Sequence, residues 1–505
     1  MPSRFKPGLA PVSVLIVVAI TLTGCLSNGG VAPRLARLDA NTLASAASLR
    51  QARRDASWPR ESWWKQYRDP QLNDWIGYAL EHSPSVDEAQ ARVRQAMALA
   101  GVAHAAGALQ LAAGASIDRQ HWPDDSLHGP GALGDSSHWN ADAGLGLRYT
   151  LDFWDRERSA SEGALHAAYA RAAAGRVVQL ELARNIVLVY VKLALLYAER
   201  DITATTLAQQ EQVLDIACRR LAGGLGTHFE VSQANAPLPE TRRQIVALDA
   251  RIALAGNQLA ALTGRGPGAA AALQRPSLQL TAQPTLPAAL PAELLGRRPD
   301  VVARRWQVAA LASDVDVARA DFYPNIDLVA SLEFSAVGGG VLNLLRADKL
   351  GSSIGPALSL PLFDGGRLRS RLGAASAAYD AAVARYNQTL VGALREISDQ
   401  LIRLRSLDRQ QRLAAEATAT AQASWRIAEQ AWRGGLTDYL AVLEAQTRLF
   451  QQQHVQKRVW AARLTAHADL MAALGGGLLE PRHSPAEHLL EPRRVPVAQA
   501  GAASR

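Results

Sequence analysis

Residues 139–152 have the sequence WNADAGLGLRYTLD, and this stretch decides the fold. Apolar residues occupy the odd positions from Trp139 to Leu151, and polar or small residues occupy the even positions from Asn140 to Asp152. A period of two is typical of a β-strand with one apolar and one polar face. The stretch 325–336, NIDLVASLEFSA, alternates in the same way, and 109–118 and 353–362 do so less regularly. The sequence therefore predicts four strands in two pairs.

The strand count has a consequence for assembly. Strands of about ten residues with opposite faces fit a membrane β-barrel, with a soluble β-sandwich as the alternative. A membrane barrel needs at least about eight strands, and each unpaired backbone group in lipid costs several kcal/mol. Two chains would supply eight strands and three would supply twelve. The count requires a barrel shared between chains, but does not by itself choose three.

The chain also matches itself after a shift of 211 residues. Arg156 then falls on Arg367 and Gly224 falls on Gly435, with no gap over about 110 residues. Paired glycines at equivalent turns are hard to explain by chance in a chain rich in Ala and Leu. We interpret the match as an internal duplication.

Each half contains one very long predicted helix. Apolar residues recur at spacings of three and four from Ile186 to Leu221 and again from Leu390 to Leu404, which is typical of a coiled-coil seam. Residues 156–221 would extend roughly 100 Å at 1.5 Å per residue, so these helices must pack side by side. Polar residues dilute both seams, which favours a wall with water on one side. An ordinary dimeric coiled coil is the alternative, and the predicted strands argue against it.

The N-terminus has the features of a bacterial lipoprotein signal. Arg4 and Lys6 precede an apolar run from Val12 to Ile20, and Leu22-Thr23-Gly24-Cys25 follows. This order predicts removal of residues 1–24 and acylation of Cys25. Leu26, in place of an aspartate, favours sorting to the outer membrane. No later apolar run is long enough to predict a transmembrane helix.

Composition and motifs exclude several other classes of function. The formal charge is +8, but the basic residues are interleaved with acids and do not predict a nucleic-acid surface. Metalloprotease, phosphate-loop and nucleophile-elbow motifs are absent, so we expect no enzyme activity, no cofactor and no metal site. His121, His128 and His138 fall between the first two strands, in a predicted loop, without the companions of a known metal site. Cys218, in a helical stretch, is expected to be packed.

Three motifs carry a resemblance to a known family: Arg297-Arg298-Pro299-Asp300-Val301, Phe322-Tyr323-Pro324-Asn325-Ile326 and Leu360-Pro361-Leu362-Phe363-Asp364-Gly365-Gly366-Arg367. Trp63-Trp64 and Leu151-Asp152-Phe153-Trp154 add to it. Together they resemble the TolC-like outer-membrane efflux proteins, in the lipoprotein branch with NodT-type subunits. The resemblance runs from about Trp58 to Gly477.

The resemblance implies an α+β membrane protein. Three copies would form a twelve-stranded β-barrel, continued by a long α-helical barrel into the periplasm and girdled by a mixed equatorial domain. It implies a passive exit duct for small toxic compounds or drugs in a tripartite efflux pump, with a periplasmic adaptor and an inner-membrane pump as partners. A channel for type I protein secretion is the alternative, and the lipoprotein signal favours efflux. A surface-anchored enzyme and a structural coiled-coil lipoprotein are further alternatives.

By resemblance, the adaptor docks on the two glycine-containing tips, where glycine also ends each long helix. The tip residues are Gly223, Gly224, Leu225, Gly226 and Thr227 in the first repeat, and Gly434, Gly435, Leu436, Thr437 and Asp438 in the second. A periplasmic gate acid of the family falls on Glu444, which would form a ring of three carboxylates in a trimer. The alternative for Glu444 is a solvated helix residue. A second gate acid falls on Ala441 and a basic gate residue on Thr437, so this chain lacks the fuller gate network.

The predicted organisation follows the duplication, with residues 1–24 as the signal peptide and 25–108 as the N-terminal segment and first helices. Strand pairs occupy 109–152 and 324–362, and long helical hairpins occupy 153–264 and 363–477. Residues 265–299 join the repeats in the equatorial region, 300–323 form a helix, and 478–505 form a disordered tail.

Overall fold

The computed structural model describes residues 28–39, 58–123, 135–280, 297–337 and 346–477. The predictions for Cys25, His128 and the tail, and part of that for 265–299, lie outside these described residues. Contacts divide the chain into two compact units, which are described in turn. Unit 1 contains Arg94–Ala170 and Arg304–Tyr386 with the N-terminus up to Arg37, and unit 2 contains the rest.

Unit 1 contains a four-stranded antiparallel sheet. Its strands are β1 (Gln110–Trp122), β2 (Ser136–Thr150), β3 (Asn325–Val337) and β4 (Leu350–Ser359). Their order in the sheet is the order in the chain, and Leu145 of β2 pairs with Ala113 of β1 and with Leu332 of β3. The strands of the two repeats therefore join into one continuous sheet through β2 and β3.

Two 67-residue helices, α3 (Arg156–Ala222) and α7 (Arg367–Arg433), contribute residues to both units. Both ends of α7 lie 211 residues after the corresponding ends of α3, which is the offset of the sequence match. Side-chain carboxylates cap the first turns: Asp152 accepts a hydrogen bond from the Arg158 amide at 2.8 Å, and Asp364 accepts one from the Leu368 amide at 2.7 Å. Such caps satisfy amides that lack a partner within the helix.

Shorter helices complete the two halves. They are α1 (Pro70–His82), α2 (Pro84–Ala106), α4 (His228–Asn235), α5 (Pro237–Leu262), α6 (Pro299–Ala320) and α8 (Tyr439–Ala473). Asp69 precedes Pro70 and caps α1 by accepting from the Leu72 amide. Proline at the first helical position loses no intrahelical hydrogen bond, so this sequence favours a helix start at Pro70.

The main core lies in unit 2. Trp63, Tyr67 and Leu72 from the N-terminal part pack with apolar residues of α3, α5, α7 and α8, including Leu193 and Leu470. The two repeats and the segment before them therefore share one core. This core is confined to part of each long helix, as expected for helices too long to be buried along their whole length.

Two buried polar groups sit in this core. The Asp69 carboxylate accepts hydrogen bonds from the Tyr190 hydroxyl at 3.0 Å and from the Ser277 amide at 2.7 Å. The His467 ring nitrogen Nδ1 lies 3.2 Å from the Tyr67 hydroxyl, which donates to the Leu464 carbonyl at 2.7 Å. Burial lowers the pKa of His467 to about 4, so this ring is neutral at pH 7.

Two sequence expectations were wrong. Cys218 is exposed on α3 and not packed, because the helix surface around it lies outside the core of unit 2. His121 and His138 lie within β1 and β2 and not in a loop. Their register places them on opposite faces, since Gln120 pairs with His138 and His121 with Ser137, so they cannot share a metal ion.

Among the described helices, one segment could cross a membrane by length and composition alone, namely His228–Leu262, with a mean hydropathy of 1.3 in its most apolar window. Its Leu248 and Leu259 are buried in the core of unit 2. Asp249 in the same segment forms an ion pair with Arg200 of α3 at 2.5 Å. We therefore interpret this segment as a helix packed against its neighbours in the protein.

Candidate functional site

The two faces of the sheet in unit 1 differ sharply in chemistry. Strand register places Leu111, Leu147, Ala330 and Ile354 in one transverse row. Cross-strand partners share a face, so the alternating apolar residues of all four strands lie on one side. Polar and small residues, including Asp142, lie on the other. The side chains of the apolar face in the central part of the sheet are Leu111, Ala113, Ala115, Ile117, Ala141, Ala143, Leu145, Leu147, Tyr149, Ile326, Leu328, Ala330, Leu332, Phe334, Leu350, Ile354 and Leu358.

The polar face carries its own hydrogen bonds. Ser335 donates to the Asp142 carboxylate at 2.7 Å, and Thr150 donates to the Asp327 carboxylate at 2.8 Å. The Ser331 and Ser353 hydroxyl oxygens lie 2.8 Å apart. Polar groups that pair across strands hold side chains in place while leaving the face wettable. An apolar outer face and a polar inner face are the arrangement of a membrane barrel.

The outer strands leave the sheet open. Within the part of the chain that the structure describes, β1 pairs only with β2, and β4 pairs only with β3. Large apolar side chains on these two strands are strongly exposed: Ile354 is 79%, Leu358 70% and Leu111 66% accessible. An open edge cannot lie in lipid because its backbone groups would lack partners. The sheet is therefore complete only when other copies supply strands to β1 and β4.

Aromatic residues cluster where the strands lead into the helices. The Trp154 and Tyr323 rings stack with centroids 4.7 Å apart, and the Trp154 indole donates to the Pro324 carbonyl at 2.9 Å. Phe153 is also largely exposed, and Phe363 is 94% accessible. Exposed aromatics at one end of an apolar face are typical of a membrane–water interface.

The first tip joins α3 to α4 in unit 2. Gly224 has a φ of +71°, which the left-handed turn requires, and the Leu225 amide donates to the Arg220 carbonyl at 2.8 Å. Thr227 and Glu230 form a capping box at the start of α4, so the return of the chain is defined on both sides. Leu225 itself is 77% exposed.

The second tip, also in unit 2, repeats the turn with different capping. Gly435 has a φ of +73°, and the Leu436 amide donates to the Ala431 carbonyl at 2.9 Å. Asp438 caps α8 by accepting from the Ala441 amide at 3.1 Å. Leu436 is 85% exposed. Each tip is thus a rigid turn that presents one exposed leucine.

Glu444 lies on α8, one turn beyond the second tip. It is exposed and lines a groove of about 700 Å³ between α7 and α8, together with Glu416 and Arg448. Among the described residues it forms no ion pair within 4.0 Å. Ala441, on the same groove, supplies no charge. Glu444 is therefore available to another chain or to solvent.

Some of these features could have been read from sequence and some could not. Thr227-His228-Phe229-Glu230 has the spacing of a capping box, so that cap had a signal. The stacking of Trp154 on Tyr323 joins residues from different repeats and had none. Cys25 lies outside the described residues, so its predicted lipidation stays a prediction.

The comparisons with known proteins agree with this geometry. The family model of outer membrane efflux proteins matches residues 75–265 and 290–476. The fusaric acid resistance protein FusA of Burkholderia cepacia is 48% identical over 377 residues, which cover 75% of this chain and 71% of FusA. The multidrug resistance outer membrane protein MdtP of Escherichia coli K12 is 32% identical over 437 residues, covering 84% of this chain and 87% of MdtP. The solved structure of the outer membrane protein VceC of Vibrio cholerae is 34% identical, with a TM-score of 0.77 over 83% of this chain and all of VceC.

These matches confirm the fold class expected from the sequence. The protein is an α+β membrane protein whose trimer forms a twelve-stranded β-barrel continued by an α-helical barrel. It is an efflux channel of the outer membrane and not an enzyme. This chain belongs to the outer membrane efflux protein family.

Proposed function

We propose that the trimer is the passive exit duct of a tripartite pump that expels small toxic compounds from the cell. The observation that carries this proposal is the open sheet with one apolar and one polar face, because three such sheets enclose a polar passage through lipid. The names of the relatives FusA and MdtP refer to fusaric acid resistance and multidrug resistance. They support small organic compounds as the substrate class.

The partners we propose are a periplasmic adaptor and an inner-membrane pump, with the adaptor docking on Gly223 to Thr227 and Gly434 to Asp438. Exposed leucines favour such docking, since an isolated apolar side chain on a rigid turn gains free energy when a partner covers it. In this proposal, residues 109–152 and 324–362 form the barrel strands. The two long helical hairpins form the wall of the α-helical barrel, and residues 265–299 form the equatorial link between the repeats. Glu444 would face the axis near the lower end as a ring of three carboxylates.

We further propose that Cys25 is acylated and anchors the N-terminus in the outer membrane. Asn28 follows Cys25 by three residues, a distance of at most about 11 Å in extended chain. Gly29 lies beside Arg369 near the start of α7. Val31 packs on a cluster that includes Phe322, next to the first residues of β3. A lipid on Cys25 would thus lie within reach of the interface marked by the exposed aromatic residues.

Deletion of the gene tests the substrate class. We expect the deletion strain to become sensitive to fusaric acid and to other small toxic compounds, and to recover when the gene is restored. The alternative, type I protein secretion, predicts instead that a secreted protein is retained inside the deletion strain. Unchanged sensitivity together with a retained protein would reject efflux in favour of secretion.

The adaptor site is tested by replacing both tip leucines with glutamine. We expect Leu225→Gln with Leu436→Gln to reduce cross-linking to the adaptor in cells and to reduce resistance, while the trimer still forms. The matched control is Ile402→Gln, which replaces an exposed apolar residue of α7 outside the tips. Normal cross-linking by the double variant would contradict docking at the tips.

A further inference from the structure

A second groove lies in unit 2 and is lined by residues of α3, α5 and α8. Its volume is about 520 Å³, within the range of small-molecule sites. Its lining includes the apolar residues Ala247, Leu248 and Val455. It also includes three arginines, which makes this groove different from the Glu444 groove with its two acids.

The charges around this groove are unbalanced. Arg243, Arg251 and Arg458 line it, against the single carboxylate of Glu199. Arg458 pairs with Glu199 at 2.9 Å, and Arg243 donates two hydrogen bonds of 2.7 Å to Glu240. Arg251 has no hydrogen bond or ion pair with any of the residues that the structure describes. The Arg251 guanidinium is therefore available to a ligand. The Arg243 and Arg458 guanidinium groups also keep unused N–H donors, because each guanidinium has five N–H groups.

His454 adds a polar atom without a partner. Its Nδ1 is buried and makes no hydrogen bond within the described part of the chain, and the residue lines the same groove. Burial lowers the pKa of His454, so the ring is neutral at pH 7. A neutral imidazole offers one N–H donor and one acceptor. A ligand with both an acceptor and an apolar part would pair with Arg251 and lie against this neutral ring.

We propose that this groove binds small monocarboxylates with an apolar part, one in each protomer. The carboxylate would accept paired hydrogen bonds from Arg251, which is the strongest geometry for this pair of groups. The apolar part of the ligand would lie on Ala247, Leu248 and Val455. The apolar part of the lining disfavours inorganic phosphate, which would leave these residues in contact with water. The inference rests on the proposed function, in which small organic compounds are the substrates.

The test uses the purified full-length trimer in detergent and two probes, fusaric acid and its uncharged primary amide. Titration calorimetry should show saturable binding of the acid, and binding of the amide at least tenfold weaker. Arg251→Gln should weaken binding of the acid at least tenfold and leave the amide unchanged. The matched control is Arg412→Gln, which removes an exposed arginine of α7 outside the groove and should bind like the unaltered protein.

A second variant tests the groove without touching its charge. His454→Leu replaces the neutral imidazole that lines the groove and should weaken binding of the acid severalfold, with the trimer intact on gels. Equal affinity for acid and amide, or unchanged binding by Arg251→Gln, would overturn the proposal. These outcomes are distinct from failure of the efflux role. If the deletion strain is sensitive to fusaric acid but Arg251→Gln binds normally, only the groove assignment is rejected.

Discussion

Leu332 and Ser331 are neighbours on β3 that face opposite sides of the sheet. Leu332 lies in a row with Leu145 on the apolar face, and Ser331 pairs with Ser353 on the polar face. Replacing each by arginine introduces the same side chain and the same charge at nearly the same height in the barrel. We expect Leu332→Arg to be strongly destabilising and Ser331→Arg to be tolerated.

The magnitude follows from where each side chain points. An arginine on the lipid face near the middle of the bilayer costs about 2–4 kcal/mol in a barrel. Three copies per trimer therefore lose roughly 6–12 kcal/mol with Leu332→Arg. Ser331→Arg loses the contact between two hydroxyl oxygens 2.8 Å apart, about 1 kcal/mol per copy, and its charge reaches water. The expected difference is about 1–3 kcal/mol per protomer.

The assay is urea unfolding of the trimer in lipid vesicles, followed by loss of the gel mobility of the folded trimer. Leu332→Arg should lower the midpoint well below that of Ser331→Arg, and Ser331→Arg should stay near the unaltered protein. Equal midpoints would refute the assignment of faces. A lower midpoint for Ser331→Arg would mean that the polar face, and not the apolar one, contacts lipid.

Four further predictions concern the helical parts. Gly435→Ala should cost about 1 kcal/mol, because alanine is strained at a φ of +73°, and hydrogen exchange at the second tip should quicken. Thr227→Ala removes the capping-box hydroxyl and should destabilise the first tip by about 1 kcal/mol, seen as faster exchange in α4 alone. The folded-state pKa of His467, about 4, lies below its unfolded value of about 6.5, so its contribution is full above pH 6.5 and lost as pH falls toward 4, by up to about 1.4 kcal/mol per pH unit and protomer. The melting temperature of His467→Gln should accordingly depend less on pH in that window, and an unchanged slope would exclude this histidine as the cause. Glu444→Gln should lower the preference of the channel for cations in planar bilayers roughly twofold if the three carboxylates ring the axis, and an unchanged reversal potential would contradict that position.

Much of the fold could be predicted from the sequence because the sequence contains two clear patterns. Alternation over 139–152 and 325–336 predicted strands with opposite faces, and the 211-residue offset predicted two equivalent long helices. The register of the strands was not accessible. A strand shifted by two residues keeps its apolar face, so the pairing of Leu145 with Ala113 and Leu332 could not be derived from alternation.

The functional surfaces also differ in how far the sequence predicts them. Turns and caps, such as Gly224 and the capping box of Thr227, depend on residues a few positions apart and leave a local signal. The basic groove depends on α3, α5 and α8, and it is lined by both Arg251 and His454, which are 203 positions apart in the chain. No spacing rule connects these two residues, so the groove appears only when the helices are packed. The exposure of Cys218 was missed because helical periodicity alone does not locate the end of the core.

Shared closure of the barrel is tested most directly by cross-linking the two outer strands. In a Cys218→Ser background, one cysteine is placed on the apolar face of β1 at Ala113, and a second is scanned along β4 at Ser352, Ile354 and Leu358. At the matching register, oxidation should link β1 of one copy to β4 of the next, giving a ladder of products that stops at three chains. A ladder that stops at two, or a protein that stays monomeric at every register while its sheet is folded, would contradict the account.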